Sequence, residues 1–438
     1  MSATISAATR IHSAKKFIES LNELYFFASK ISPWEDERSP DVATNEVDVI
    51  NKTRRGLIFM KKCDPIGVLG LKRFEWDSGT VYTPWDSKHD LHFARNWLGP
   101  EQPFYVFVQD NSSGVLQYNV YLCIDNNQGA PSLDAPTGQS TDVFETTDGY
   151  IWKFMYNIHS DYLEYVNTAL IPCPMNDEQK TQAHLTVEQT VTPGTINRYE
   201  IVNPGSGYSG ATISIEGDGT GATAIIDVEN NEISKITVTN PGSGYTFANI
   251  TIYGDGKDAE VRAVLSPAKG HGSNAAAQLG ATHAMTKQTF MGSEMGLFTE
   301  LNAYRKIGLI KDVKDLSGEP LTGNAYSLMD SIEVINITSV FSYVQKILGM
   351  SSNAEARIFK IEPPNSPTAI FYISDRIGNF AMNEFIQLEN SPSTIAQVTD
   401  VINNVVDKNS GEIVYLEHLQ AISRSAGQSE SFIFSIEF

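Results

Sequence analysis

The sequence NPGSGY occurs at Asn203–Tyr208 and again at Asn240–Tyr245, and GDG occurs at Gly217–Gly219 and again at Gly254–Gly256. Each second copy begins 37 residues after the first, so the two copies align without a gap. Apolar residues alternate with polar ones beside both copies, at Ile213 and Ile215 in the first and at Ile250 and Ile252 in the second. Each copy is therefore predicted to form a strand, a tight turn, a strand, a GDG turn and a strand, and the two together a small β module over residues 190–268.

The residue types of NPGSGY are those of a turn. Proline fixes φ at one position, the two glycines permit left-handed backbone, and the tyrosine can pack back over the turn. The predicted structural turn residues are Asn203, Pro204, Gly205, Gly207 and Tyr208 in the first copy and Asn240, Pro241, Gly242, Gly244 and Tyr245 in the second. The functional alternative is that Tyr208 and Tyr245 are exposed and form a platform on which a glycan stacks.

The central aspartates of the GDG turns, Asp218 and Asp255, also have two interpretations. Their carboxylates are oxygen donors of the kind that calcium prefers. Gly-Asp-Gly is equally ordinary turn chemistry, because glycine permits positive φ and aspartate bonds nearby backbone. No dense run of aspartates of the calcium-loop type occurs, so the sequence favours a turn and predicts no bound ion.

Outside the module the sequence is rich in strand patterns. Alternating or aromatic runs occur in PFYVFVQD (103–110), YNVYLCID (118–125), GYIWKFMYNI (149–158), GEIVYLEHL (411–419) and SFIFSIEF (431–438). One helix is predicted from Ile11 to Ala28, where apolar residues recur at steps of three and four. A weaker echo, about 40 residues long, pairs Leu348, Ser351, Ala356 and Ile358 with Leu388, Ser391, Ala396 and Val398.

These patterns predict a mainly β (α+β), multidomain chain, with β-sandwich-like domains, a few helices and a small inserted β-repeat module. Residues 1–189 form an N-terminal helix and a β-rich region, residues 190–268 the module, and residues 269–438 a C-terminal β-rich region that packs with residues 1–189. Two or three domains also suit a chain of 438 residues.

Composition excludes several classes of partner. The net charge of −20 repels phosphate backbones and anionic lipid heads, so neither nucleic acid nor a membrane is expected as a direct partner. No signal peptide and no run of about 18 apolar residues is recognised. The three cysteines, Cys63, Cys123 and Cys173, are far apart and predict buried, unpaired thiols in a reducing cytoplasm.

The sequence offers no catalytic or cofactor-binding motif. Phosphate-binding loops, HExxH and GxSxG are absent. The nearest approach to a metal-ligand set is His89 and His92 with Asp86 and Asp90, and the preferred interpretation is a polar connection, because no further ligands converge on it. The acidic run Glu35–Glu37 is interpreted as solvated. The prediction is therefore a protein that is not an enzyme and needs no cofactor or metal.

Several stretches outside the module resemble the baseplate wedge family of T-even-type contractile bacteriophages known as gene product eight. The resemblance is found in NELYFFASKISPW (22–34), VDVINKTRRGLIFMKK (47–62), AKGHGSNAAAQLGA (268–281) and YLEHLQAISRSAGQSESFIFSIEF (415–438). Its most specific block is YLCIDNNQGAPSLDAPTGQSTDVFETTDGYIWKFMYNI (121–158), in which a long polar loop leads into an aromatic strand. The duplicated NPGSGY module is similar to a repeat seen in many phage structural proteins and stands here as an insertion.

The resemblance implies a structural subunit of the virion, located in the tail baseplate after assembly in the host cytoplasm. Such a subunit forms a homodimer, contacts other wedge proteins, and carries no catalytic residues. One alternative is a host-recognition or carbohydrate-binding tail protein that uses the inserted repeat. Another is a tail-associated glycosidase, which needs two carboxylates about 5–10 Å apart across a cleft.

Overall fold

The computed structural model describes residues 5–87, 103–298, 300 and 302–438. Strands account for 46% of the chain and helices for 13%, so the predicted mainly β class is confirmed. The chain forms two compact units, the first made of Met1–Ile18, Gly67–Thr286 and Ser435–Phe438 and the second of Glu19–Ile66 and Lys287–Phe434. The residues of the predicted module, 190–268, all belong to the first unit.

The described residues form four α-helices, five short 3-10 helices and 25 strands. The α-helices are α1 Ala7–Glu19, α2 Val47–Arg55, α3 Gln182–Gln189 and α4 Ala275–Leu279. The 3-10 helices are Leu21–Glu23, Asn127–Gly129, Ser160–Tyr165, Asp177–Gln179 and Glu294–Gly296. The strands are β1 Leu24–Ser29, β2 Leu57–Lys62, β3 Gly67–Lys72, β4 Tyr105–Asp110, β5 Gln117–Asp125, β6 Phe144–Glu145, β7 Ile151–Asn157, β8 Leu170–Cys173, β9 Ile196–Ser206, β10 Ala211–Gly217, β11 Thr220–Glu229, β12 Glu232–Ser243, β13 Ala248–Gly254, β14 Lys257–Leu265, β15 His283–Met291, β16 Ala303–Lys311, β17 Ala325–Ser327, β18 Asp330–Ile335, β19 Lys346–Gly349, β20 Glu355–Glu362, β21 Ala369–Ile377, β22 Phe385–Leu388, β23 Ser391–Ile402, β24 Glu412–Ser423 and β25 Ser429–Glu437.

The helix predicted from Ile11 to Ala28 is only half right. Helix α1 ends at Glu19, and Leu24–Ser29 is strand β1. All six residues of β1 are buried, because the strand lies between β2 and β16 in the middle of a five-stranded sheet. A strand buried on both faces has a continuous apolar run, and such a run cannot be told from a helix by its periodicity.

The second unit contains this five-stranded sheet and a closed barrel. The sheet has the order β17-β2-β1-β16-β24, and the barrel has the order β18-β21-β20-β19-β22-β23. The 40-residue echo falls on matching hairpins of the barrel, β19–β20 and β22–β23. Its equivalent residues on β20 and β23 are buried together in the barrel core: Ala356, Ile358, Ala396 and Val398.

The aromatic strands predicted in the first unit are present and form a four-stranded sheet of order β4-β5-β7-β6. Its core contains Tyr121, Tyr150, Trp152 and Phe154, which have no exposed surface. In the same unit β3 pairs with β8 and with the first residues of β15. These aromatic strands are therefore covered, as their composition requires of a folded chain.

The duplicated module consists of three two-stranded ribbons, β9–β14, β10–β13 and β11–β12. Strands β9–β11 come from the first copy and β12–β14 from the second, so every ribbon joins one strand of each copy. If each strand is replaced by its equivalent in the other copy, the same three pairs of strands result. In the central ribbon Ser214 lies opposite Thr251, its own equivalent in the second copy. The module therefore has an internal twofold axis through that pair, and neither copy closes its sheets without the other.

Candidate functional site

The NPGSGY residues lie at the ends of paired strands, and the chain turns just beyond them. Asn203–Ser206 closes β9 and Asn240–Ser243 closes β12, with Pro204 opposite Ala259 and Pro241 opposite Ala222. The Asn203 side chain accepts a hydrogen bond from the Gly205 amide at 3.0 Å, and the Asn240 side chain accepts one from the Gly242 amide at 2.9 Å. The four glycines of the two motifs have left-handed backbone: Gly205 (φ 66°), Gly207 (φ 81°), Gly242 (φ 63°) and Gly244 (φ 78°).

The two motif tyrosines are buried in the module core. Tyr208 is 3% exposed and Tyr245 is 5% exposed. The Tyr208 ring packs on Gly256 and the Tyr245 ring packs on Gly219, in each case a glycine of the opposite copy. A Cβ added to either glycine would lie 2.4 Å from the ring. Tyr208 and Tyr245 therefore do not provide the exposed aromatic surface that the glycan-platform alternative requires.

The aspartates of the GDG turns bind the opposite copy. The Asp218 carboxylate accepts hydrogen bonds from Thr246 N at 2.8 Å and Thr246 Oγ1 at 2.6 Å. The Asp255 carboxylate accepts the equivalent bonds from Ser209 N at 2.8 Å and Ser209 Oγ at 2.5 Å. The side-chain hydroxyl bond is the main cause that lowers the pKa of each aspartate. These carboxylates hold the two copies together, whereas the turn interpretation expects each aspartate to bond its own backbone.

A comparison of two glycines tests how the module is built. Gly242→Ala is expected to destabilise the protein by about 3 kcal/mol or more, because two costs add up. The new Cβ would lie 2.6 Å from Thr220 O, and a left-handed backbone is strained for alanine. Gly244→Ala meets nothing closer than 3.9 Å and is expected to lose only about 1–2 kcal/mol. Urea unfolding of both variants measures the difference. Equal losses would contradict the packing described here.

Two of the other polar candidates, Asp86 and Glu37, are hydrogen-bonded to neighbouring residues. His89, His92 and Asp90 lie outside the described residues. Asp86 is buried and is bonded by the Arg262 guanidinium. The run Glu35–Glu37 was interpreted as solvated, and this is wrong for Glu37. Its carboxylate accepts hydrogen bonds from Trp34 N at 3.1 Å and from Arg305 Nε at 2.7 Å.

The three cysteines are unpaired and buried, as predicted. Burial raises the pKa of the Cys63 thiol and of the Cys173 thiol to about 12, and it raises the pKa of the Cys123 thiol well above its ordinary value. A protonated thiol is a poor nucleophile and a poor metal ligand. These residues therefore contribute packing and offer no reactive centre.

The long polar connection between β5 and β7, residues 126–149, is fixed by hydrogen bonds to the carboxylates of Asp148 and Asp110. The Asp148 carboxylate accepts five of them, from Ser132 Oγ, Leu133 N, Asp134 N, Thr146 Oγ1 and Tyr150 N, at 2.5–3.2 Å. Gly138 is bonded through its amide to Asp110 at 2.7 Å and through its carbonyl to the Tyr121 hydroxyl at 2.6 Å. The loop exposes Leu133 and Val143. It therefore presents apolar side chains from a rigid backbone.

Asp148 gives this loop a defined acid sensitivity. Burial disfavours its charged form, but the five hydrogen bonds outweigh burial and lower its pKa to about 2, from 3.8. Because the folded pKa is the lower one, the stabilisation is present above pH 4 and is lost as the pH falls from 4 towards 2. We expect Asp148→Asn to lose about 2 kcal/mol at pH 7 and to approach the unmodified protein near pH 2. Unfolding free energies at several pH values measure this difference, and exposed Asp161→Asn is the control. A difference that does not change with pH would contradict it.

Two loops at one end of the barrel are joined by another buried carboxylate. Glu384 accepts hydrogen bonds from Ser351 N and Oγ, Ser352 N and Oγ, and Ala381 N, at 2.6–3.1 Å. These bonds outweigh burial and lower the pKa of Glu384. The loops expose Met350 (57%) and Met382 (64%) beside Phe385 (41%), and Met350 N donates to Phe385 O at 2.9 Å. We call these three side chains the barrel-end patch.

No sequence pattern indicates the barrel-end patch, because Glu384 and the serines that it binds are more than 30 residues apart. Among the described residues, no three His, Cys, Asp or Glu side chains form a group that could hold a metal ion. Within the same residues, no helix combines the length and apolarity needed to cross a membrane. A scan against models of protein families and a search of curated proteins found no match to this chain.

Proposed function

We propose that the protein is a structural subunit of a virion: a wedge subunit of a contractile bacteriophage tail baseplate, which assembles with a second copy of itself and with other wedge proteins. Its place of assembly is the host cytoplasm. It acts by presenting rigid surfaces to neighbouring subunits, and rearrangement changes which surfaces are in contact. The resemblance of five sequence blocks to the baseplate wedge family supplies the identity of the assembly.

The barrel-end patch carries the proposal, because it combines exposed apolar area with a fixed backbone. Methionine and phenylalanine are enriched in protein interfaces, and a contiguous apolar patch on a folded chain commonly marks a binding surface. The Glu384 carboxylate holds both loops before any partner arrives, so little entropy is lost in ordering them on binding. The loop of residues 126–149 has the same construction, with Asp148 in the place of Glu384.

The glycan-binding alternative receives no support from the module tyrosines, since both rings are buried. It would need another surface of the repeat. Glycan arrays with the whole chain measure that possibility directly, and adsorption lost on deletion of residues 190–268 with assembly intact would favour it over the wedge proposal.

Variants of the barrel-end patch test the proposal. The double variant Met350→Ser, Met382→Ser is expected to weaken binding to co-expressed tail proteins or self-association at least tenfold, about 1.4 kcal/mol. The matched control is Met291→Ser with Met295→Ser, two exposed methionines of the second unit outside the patch. Light scattering after co-purification measures both. Equal effects of the two double variants, or no effect of either, would argue against the patch as an interface.

A further inference from the structure

A pocket in the second unit has a charge opposite to that of the chain as a whole. Its volume is about 480 Å³, which is within the range of small-molecule sites. Six cationic side chains line it, namely Lys30, Lys52, Arg55, Lys306, Lys346 and Arg357, and four carboxylates, namely Glu35, Asp41, Glu355 and Asp375. In a protein of net charge −20, this concentration of cations in one concavity needs an explanation.

Lys306 is the most buried of these cations. It lies on β16, where its cross-strand neighbours are Ser29 on β1 and His418 on β24. The residue is 5% exposed, and its Nζ donates to Thr53 Oγ1 at 2.9 Å. An ammonium group has three protons to donate, so Thr53 satisfies only part of its capacity. Burial first, and then the charges of Lys30 and Lys52, lower the pKa of Lys306 to about 8. A bound anion would relieve this repulsion.

Other groups around Lys306 also have hydrogen-bonding capacity that their neighbours do not fill. His418 Nδ1 donates to Asp41 O at 2.7 Å, and its Nε2 is buried with no hydrogen-bond partner. The Trp34 ring lies 4.9 Å from the His418 ring at a tilt of 40°, and Lys30 Nζ lies 4.4 Å above the Trp34 ring. Arg357 uses Nη1 to bond Val344 O at 3.0 Å. A ligand bearing oxygen atoms would supply acceptors to Lys306, Lys30 and Arg357 at once.

Two of the six cations are already compensated. Lys346 is paired with Glu355 and with Glu389, each at 2.9 Å, and Lys52 is paired with Asp48 at 2.6 Å. The excess positive charge of the pocket therefore comes from Lys30, Arg55, Lys306 and Arg357, which face Glu35, Asp41 and Asp375. Asp375 faces Arg357 and Lys30, and burial raises its pKa in spite of both. Its backbone, like that of Lys30, is left-handed (φ 53° and 60°). Asp375 therefore acts as an internal counter-ion, and it competes with any anion that enters.

We propose that this pocket binds a small, multiply charged oxyanion, a phosphate or a polycarboxylate, against Lys306, Lys30 and Arg357. His418 is not among the anion-binding donors, because its Nδ1–H donates to Asp41 O and Nε2 of the neutral ring is an acceptor. The site is separate from the barrel-end patch and does not depend on the assembly role. It gives the protein a means of sensing or storing a small anion.

Calorimetric titration of the full chain with sodium phosphate, and separately with citrate, in low-salt Tris buffer tests the proposal. We expect at least one of them to bind with a Kd of about 1 mM or tighter. Lys306→Met and Arg357→Gln are each expected to weaken binding at least tenfold. Asp375→Asn is expected to tighten it several-fold, because it removes the competing charge. The control Lys311→Gln changes an exposed lysine of the same strand, which is paired with Glu412, and is expected to change nothing.

Several results would overturn the proposal. They are absence of binding of both anions to the unmodified chain, equal losses in Lys306→Met and Lys311→Gln, and weaker binding in Asp375→Asn. Binding of a hexaglutamate peptide without binding of phosphate or citrate would also overturn it, because the occupant would then be an acidic protein segment. Urea unfolding of each variant without ligand separates a lost site from a lost fold, and the tightening in Asp375→Asn cannot arise from unfolding.

Discussion

Glu430→Ala is expected to lower the free energy of unfolding by about 3–5 kcal/mol, because it removes a carboxylate that pairs with a buried arginine. The Arg424 side chain has no exposed surface, and that of Glu430 is 7% exposed. Arg424 Nε donates to both Glu430 carboxylate oxygens at 3.1 and 3.2 Å. The guanidinium also bonds the carbonyls of Phe298 and Gly292 and lies 3.9 Å from the centre of the Phe298 ring. These three contacts are to uncharged groups.

The matched control is Glu412→Ala, which removes the partner of Lys311 from an exposed pair. The Glu412 side chain is 69% exposed, and exposed ion pairs contribute less than about 1 kcal/mol. Urea unfolding of both variants gives the comparison. If Glu430→Ala costs no more than Glu412→Ala, water reaches Arg424 and the pair is not the buried anchor described here.

Glu384→Ala is expected to cost about 3 kcal/mol and to weaken partner binding as well. The substitution removes the acceptor for three backbone amides, those of Ser351, Ser352 and Ala381, and for two serine hydroxyls. The barrel core itself is untouched, so the barrel is expected to fold while its end loops become mobile. Binding then falls because the barrel-end patch must be ordered at the moment of association.

Hydrogen exchange separates the two effects of Glu384→Ala. Amides of residues 350–354 and 378–384 are expected to exchange faster, with little change in β18 or β21. Glu389→Ala is the control, since the Glu389 side chain is 43% exposed and pairs with Lys346 at the surface. Uniformly faster exchange across the barrel would show that Glu384 supports the whole barrel, and unchanged exchange in the two loops would show that it fixes neither.

In the duplicated module the strands could be predicted from the sequence, but their pairing could not. A 37-residue spacing with matched alternation predicts three strands in each copy, and the structure has them. The pairing of strands between copies was not predictable, because alternation determines which face is buried and does not identify the neighbouring strand. The burial of Tyr208 and Tyr245 depends on the same pairing, since each ring packs on a glycine of the opposite copy.

The errors elsewhere have a similar physical origin. Leu24–Ala28 falls within the predicted helix because a strand buried on both faces shows no alternation. Glu37 was predicted to be solvated, but Arg305, distant in sequence, pairs with it. The barrel-end patch and the cationic pocket share this property. Lys30, Lys306 and Arg357 carry no common motif, and only the folded second unit brings them together.

Solution mass tests the central claim most directly. The protein is to be measured by light scattering alone and again after co-expression with the proteins of neighbouring tail genes. The wedge proposal predicts a dimer that moves into a larger complex of fixed composition. A monomer that stays a monomer beside every one of those proteins would contradict it.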